Sequence, residues 1–166
     1  MEAADIRFAY RRFGKSGGVP LLIGESDPIA NTEETMKVID NYKKAIENGD
    51  EALLKEVFAP QIRFDAPSGE SSLHPVDTAS HIMSQVAKVV PGIKNILTAD
   101  AGSNSYLLAF EGEIEGQKLQ AVDQLHLDQR GRIDQLTIYM RPIPAAQKFR
   151  GAIGQRLQPA TGPTRG

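Results

Sequence analysis

Apolar residues in this chain follow two periods, and the change from one to the other divides it. From position 31 the spacing is helical. Asn31 reads as an N-cap with Glu34 completing a capping box, and Met36, Ile39, Tyr42 (or Lys43) and Ile46 then mark one buried face. Asn48-Gly49 ends that helix and Asp50 caps a second, whose stripe is Leu53, Leu54, Val57 and Phe58, stopped at Pro60. Gln61 to Ala66 alternates as a strand, with Ile62, Phe64 and Ala66 on one face and Arg63 and Asp65 on the other. Ala79, Ile82, Met83, Val86, Val89 and Val90 give a third amphipathic helix, ended by Pro91-Gly92. Thereafter the period is two. Ile93 to Asp100, Ser105 to Ile114, Lys118 to Asp128 and Arg132 to Met140 read as four strands, with tight turns at Glu115-Gly116 and Arg130-Gly131. Pro142 and Pro144 break the last strand, and Ala145 to Leu157 reads as a terminal helix.

Helices first and an antiparallel meander after predict an α+β fold: a curved antiparallel sheet wrapped around the N-terminal helices, with a cavity between the layers. The domain is expected over residues 31–157. Residues 1–30 form an N-terminal extension in which Ile6 to Phe13 and Val19 to Ile23 suit a hairpin, and 158–166 is a Pro/Gly/Thr-rich tail expected to be disordered. A length of 166 residues suits one core. A net charge of −2 without long runs of one sign argues against a nucleic-acid partner. The chain has no cysteine, which excludes disulfides, thiolate metal sites and thiol nucleophiles. Neither a signal peptide nor a run of membrane-spanning length is visible, so the expected setting is cytoplasmic, without a membrane partner.

Two short motifs fit on paper. Ala9 to Ser16 matches the loosest form of the phosphate-binding P-loop, but its loop carries Tyr10, two arginines and Phe13, and Gly17-Gly18-Val19-Pro20 is a poor helix start. Gly14 to Gly18 matches the nucleophile-elbow pattern without the helix that must follow it. Tyr10 to Gly24 resembles the opening strands of α/β-hydrolases, a resemblance that ends at Glu25-Ser26-Asp27-Pro28. It implies a hairpin packed on the domain edge or on a partner subunit. His74 and His81 are too far apart for a one-turn metal pair, and with His126 they read as surface or core-edge imidazoles, so no metal is expected.

Three further stretches carry chemistry. They are Asp40-Asn41-Tyr42 through Glu47-Asn48-Gly49-Asp50, Phe58-Ala59 through Phe64-Asp65-Ala66-Pro67, and Asp123-Gln124-Leu125-His126-Leu127 through Gly131-Arg132-Ile133. Over about residues 32–141 they resemble the ketosteroid isomerase-like branch of the nuclear transport factor 2-like (SnoaL-like) superfamily. The resemblance implies a cone-shaped fold and a site in which a helix tyrosine and a strand acid, here Tyr42 and Asp123, act as hydrogen-bond donors. The isomerases of that branch are a standard example of a carboxylic acid kept protonated by an apolar site, and Ala121, Val122, Leu125 and Leu127 offer Asp123 such surroundings. Their general base is an acid just before the proline that ends the first strand. That position is Ala66 here, and alternation turns the adjacent Asp65 to the other face. Limonene epoxide hydrolase, another relative of that superfamily, needs an acid on the last strand, where Ile138 or Met140 stands here.

The expectation is a homodimeric domain that binds a small apolar or phenolic molecule, without a cofactor. Asp123 and Tyr42 are the candidate catalytic pair, and Phe64, Ala66, Phe110, Leu125, Tyr139 and Arg141 are candidate pocket residues. A cofactor-independent isomerase, cyclase or dehydratase and a dimeric interaction module are the alternatives. Leu136, Ile138 and Met140 alternate with Gln135, Thr137 and Tyr139, so both faces of the last strand have apolar character, and a covered outer face is expected.

Overall fold

The computed structural model of the chain describes residues 32–67 and 69–158. The expected hairpin, both N-terminal motifs, the Asn31 cap and residues 159–166 of the tail lie outside them. Helix α1 (Thr32–Asn48) leads through a short turn into α2 (Glu51–Val57), which runs without a break into strand β1 (Phe58–Asp65). An edge strand β2 (Ser71–Pro75) follows, then α3 (Val76–Ser84), α4 (Val86–Val89), strands β3 (Lys94–Gly102), β4 (Ser105–Ile114), β5 (Gln117–Leu127) and β6 (Ile133–Arg141), and finally α5 (Ile143–Leu157). The six strands form one sheet in the order β2-β1-β6-β5-β4-β3. All neighbours are antiparallel except β1 and β6, which pair in parallel.

The architecture is the α+β arrangement read from the sequence, but the β1–β6 pair is parallel where an antiparallel sheet was expected, Phe58 and Pro60 belong to β1 rather than to the end of the second helix, and four further differences stand out. The buried stripe of α1 starts at Thr35 rather than Met36, which is exposed, and continues through Ile39, Tyr42 and Ile46. The third helix is interrupted at Gln85, whose amide bonds back to Ile82 and tightens the last turn of α3. Strand β2 was not legible, because Ser71, Ser72 and Leu73 are all exposed and leave no alternation to read. The terminal helix starts two residues earlier than expected, with Pro144 in its first turn, where a missing amide hydrogen costs nothing.

The sheet curves around α1, and β5 turns every second side chain toward the core. Leu119, Ala121, Asp123, Leu125 and Leu127 point inward, and Gln120, Val122, Gln124 and His126 point outward. Opposite them, Leu108, Phe110 and Ile114 descend from β4, and Ile133 and Leu136 from β6. Tyr42, Phe64, Phe110 and Leu125 all belong to one buried cluster. Aromatic rings run through it from Tyr42 to Phe58 (centroids 6.1 Å apart), Phe58 to Phe64 (6.3 Å) and Phe64 to His74 (5.3 Å).

The turn between α1 and α2 is held from both sides. Asp50 accepts a hydrogen bond from the Leu53 amide at 3.0 Å, the N-cap its sequence position implies. Gly49 has φ +67°, and a Cβ there would stand 2.8 Å from the Ser84 carbonyl oxygen of α3. Gly49→Ala therefore meets both a left-handed backbone and a clash with main chain. The expected loss is about 1–3 kcal/mol of unfolding free energy, read by urea denaturation of the two proteins.

Candidate functional site

Two chain segments far apart in sequence converge inside the cone. Helical spacing puts Tyr42 on the buried side of α1, and strand alternation puts Asp123 on the inner row of β5. Asp123 lies between Leu108 of β4 and Ile138 of β6, its cross-strand neighbours. The Tyr42 hydroxyl donates to Asp123 Oδ2 at 2.8 Å, with both residues buried. Burial raises the Asp123 carboxyl to about 7, against a partial lowering by the Tyr42 hydrogen bond. The Tyr42 hydroxyl is pushed well above its ordinary value, first by burial and then by the Asp123 charge. Near neutral pH this interior therefore holds a carboxyl that is an acid and a base in comparable measure.

A void of about 20 Å³ adjoins the pair. Asp123 lines it together with Ile46, Met83, Val86, Phe110, Ile138, Met140 and Phe149. Tyr42 does not line the void; its hydroxyl donates a hydrogen bond to Asp123 from behind. The arrangement is thus sequential, with the acid presented to the void and the phenol bracing it, whereas the resemblance implied two donors side by side.

The other candidates divide: Phe110, Tyr139 and Arg141 line one depression of about 300 Å³ in the sheet, and Phe64, Ala66 and Leu125 do not. Phe110 lines the void, and Phe64 and Leu125 are core residues outside its lining. Ala66 lies just past β1 in a turn, its amide donating to the Glu70 carbonyl and its own carbonyl accepting from Gly69. Asp65 faces outward, where it accepts from Gln135 Nε2 and Thr137 Oγ1 at 3.1 Å each and from Arg63 Nε at 3.0 Å. Hydrogen bonding by Ser71, then by Arg63 and Thr137, holds its carboxyl below the ordinary value. Tyr139 and Arg141 do not reach the interior, because on β6 the inner row is Leu136, Ile138 and Met140. On the outer face the Tyr139 hydroxyl donates to Gln124 Oε1 at 3.3 Å and Arg141 Nε donates to Gln120 Oε1 at 2.7 Å. Ile138, Met140, Met83 and Phe149 were not singled out from the sequence as pocket residues. The spacing of Ala145, Phe149, Ala152 and Ile153 was the available signal for an apolar face on α5.

No family model and no curated protein matches the sequence. Solved structures do match. A steroid delta-isomerase from Pseudomonas aeruginosa superposes with TM-score 0.67 at 22% identity, covering 74% of this chain and 90% of that one. An uncharacterized protein with a cystatin-like fold from Silicibacter pomeroyi gives TM-score 0.67 at 22% identity, covering 72% and 84%. An NTF2-like protein from Burkholderia xenovorans gives 0.56 at 17%, covering 69% and 92%. This chain has the NTF2-like fold. At these identities the likeness concerns the fold and leaves the reaction open. Among the described residues of this NTF2-like cone, no helix is long and apolar enough to cross a membrane.

The raised carboxyl has two measurable consequences. Tyr42→Phe removes the hydrogen bond that favours the charged form, so the Asp123 carboxyl should titrate above its native value of about 7, as followed by carboxyl carbon NMR. Between the ordinary carboxylate range and about 7 the folded chain holds a proton that the unfolded chain has released. Stability should therefore fall as pH rises through that window and level off above it. The full span is at most on the order of 4 kcal/mol. In Asp123→Asn this part of the slope should vanish, as measured by urea denaturation at pH 5 and pH 8.

Proposed function

We propose that the cone binds a small, largely apolar molecule carrying a hydroxyl or carbonyl oxygen, and that Asp123 holds that oxygen with Tyr42 braced behind it. The observation that carries this reading is a carboxyl buried among leucines, isoleucines and phenylalanines, hydrogen-bonded by the Tyr42 hydroxyl and with a void at its side. A buried acid in such a setting costs the fold several kcal/mol, and groups perturbed in this way concentrate at functional sites. Protonated, Asp123 donates to a carbonyl; ionised, it accepts from a phenol. Near pH 7 both forms are populated, which suits the isomerase, cyclase or dehydratase alternative, with Asp123 as acid or base. Enolisation by a carboxylate at the end of the first strand is disfavoured, because Ala66 has no acid and Asp65 is engaged on the other face. A void of 20 Å³ is no larger than a water site, so the wall must move to admit a ligand.

The test is a binding titration with 4-nitrophenol. Native protein should bind it, Asp123→Asn should weaken it modestly, and Asp123→Leu should weaken it by about 1–3 kcal/mol, since the apolar side chain offers no polar partner. In a parallel steroid isomerisation assay the native chain should be nearly inactive, since a general base contributes about 10²–10⁴-fold and none stands at Ala66. Efficient native isomerisation would overturn the missing-base argument.

A second reading concerns assembly. The sheet carries a depression of about 300 Å³ to which Ile96, Ala109, Gln120, Val122, Tyr139 and Arg141 contribute, together with Phe110, Ala121 and Met140. Ile96 and Tyr139 are each 54% exposed and Leu97 is 58% exposed, an apolar concentration that suits a second copy of the chain. Sedimentation should give a dimer at micromolar concentration, and Ile96→Glu with Tyr139→Glu should convert it to monomer. A native monomer would refute this.

A further inference from the structure

We infer that helix α5 is a displaceable plug of the cone and that Phe149 occupies the place that a ligand's ring takes, so that the site admits one aromatic-sized, oxygen-bearing molecule when α5 moves aside. The inference rests on the reading of Asp123 given above and adds to it the identity of the moving wall. Among the side chains lining the void beside Asp123, Phe149 alone belongs to α5; the others come from α1, the α3–α4 segment, Ile93 just before β3, and the sheet. Phe110 and Phe149 are the two aromatic rings of that lining, and Phe110 is held in the sheet on β4.

The attachment of α5 is weak by comparison with its neighbours. Of its fifteen residues only Ala145 is buried, and Phe149, Ala152 and Ile153 pack on the core while remaining partly exposed. Among the described residues no side-chain hydrogen bond caps its N-terminus, where Pro142 stands. Its Lys148 and Arg150 make surface contacts: Lys148 Nζ to the Glu115 carbonyl at 3.4 Å and carboxylate at 3.6 Å, and Arg150 to Glu70 at 3.4 Å. Exposed contacts of this length contribute little. The sheet and α1 are seated more firmly, with Ile39, Tyr42, Ala45 and Ile46 of α1 and Leu108, Phe110, Leu119 and Leu125 of the sheet all buried. Removing the Phe149 ring leaves an apolar space next to a carboxyl. Apolar cavities on the order of 150 Å³ in protein interiors take up benzene-sized molecules.

The full-length chain is titrated with 4-nitrophenol and with nitrobenzene, which has the ring and lacks the hydroxyl. Phe149→Ala should bind 4-nitrophenol about tenfold or more tightly than native, because the closed state no longer reduces the competent population, and Phe149→Trp should weaken it. Adding Asp123→Leu to Phe149→Ala should remove the preference for 4-nitrophenol over nitrobenzene while leaving ring binding in place. If Phe149→Ala does not fold, Phe149→Leu carries the same comparison with a smaller gain. Equal affinity of native and the Phe149 variants, with binding still lost in Asp123→Leu, overturns the plug and leaves the Asp123 reading standing. Tightened binding of both probes without any dependence on Asp123 supports the plug and overturns the Asp123 reading.

Discussion

A side chain on the inner row of β5 has only the apolar interior to enter, and one of those side chains is a carboxyl. Strand alternation leaves no choice of face: once Leu119, Leu125 and Leu127 are buried, Asp123 is buried with them. The hydroxyl of Tyr42 satisfies one carboxyl oxygen. The rest of the interior is arranged around that contact, because α1 must lie at the depth and rotation that bring position 42 to Asp123.

The pair is not the most stable solution for that space. A well-packed leucine would remove the desolvation cost that raises the carboxyl to about 7, and replacing buried polar pairs by apolar groups is often neutral or stabilising. Removing only the phenol is a different matter, since it leaves the carboxyl without that partner. The cone is otherwise closely filled, with a void of about 20 Å³ and α5 lying across it. This combination of a perturbed acid in a closed interior and a lightly attached final helix makes the structure more specific than a generic apolar core.

The two faces of the sheet divide their chemistry by the same period-two rule. Asp65, Gln135, Thr137, Tyr139 and Arg141 are displayed outward and bond to one another or to the outer row of β5, so polar groups that are neighbours of core residues in sequence never meet the Tyr42–Asp123 pair. Asp65 illustrates the point. It is one residue from Ala66 and a single strand position from the inner face, yet its carboxyl is committed to Gln135 and Thr137 of β6 on the outer side.

Local periodicity determined much about this chain by itself. The helical stripe containing Tyr42, the Asp50 cap, the four-strand meander and the inward phase of Asp123 are all short-range patterns, and neighbouring residues carry them. Edge strand β2 was invisible because an exposed strand needs no alternation, and the start of the α1 stripe was misplaced because Met36 is apolar whether or not it is buried. Tertiary structure alone decided the rest. The parallel pairing of β1 with β6, the 2.8 Å contact between residues 81 positions apart, and the lodging of Phe149 beside Asp123 depend on how the sheet curves and where α5 lands. Tyr139 and Arg141 looked like site residues until the inner row of β6 was seen to be Leu136, Ile138 and Met140. Both rows of that strand contain apolar residues, so composition could not choose between them, and only packing against β5 and α1 does.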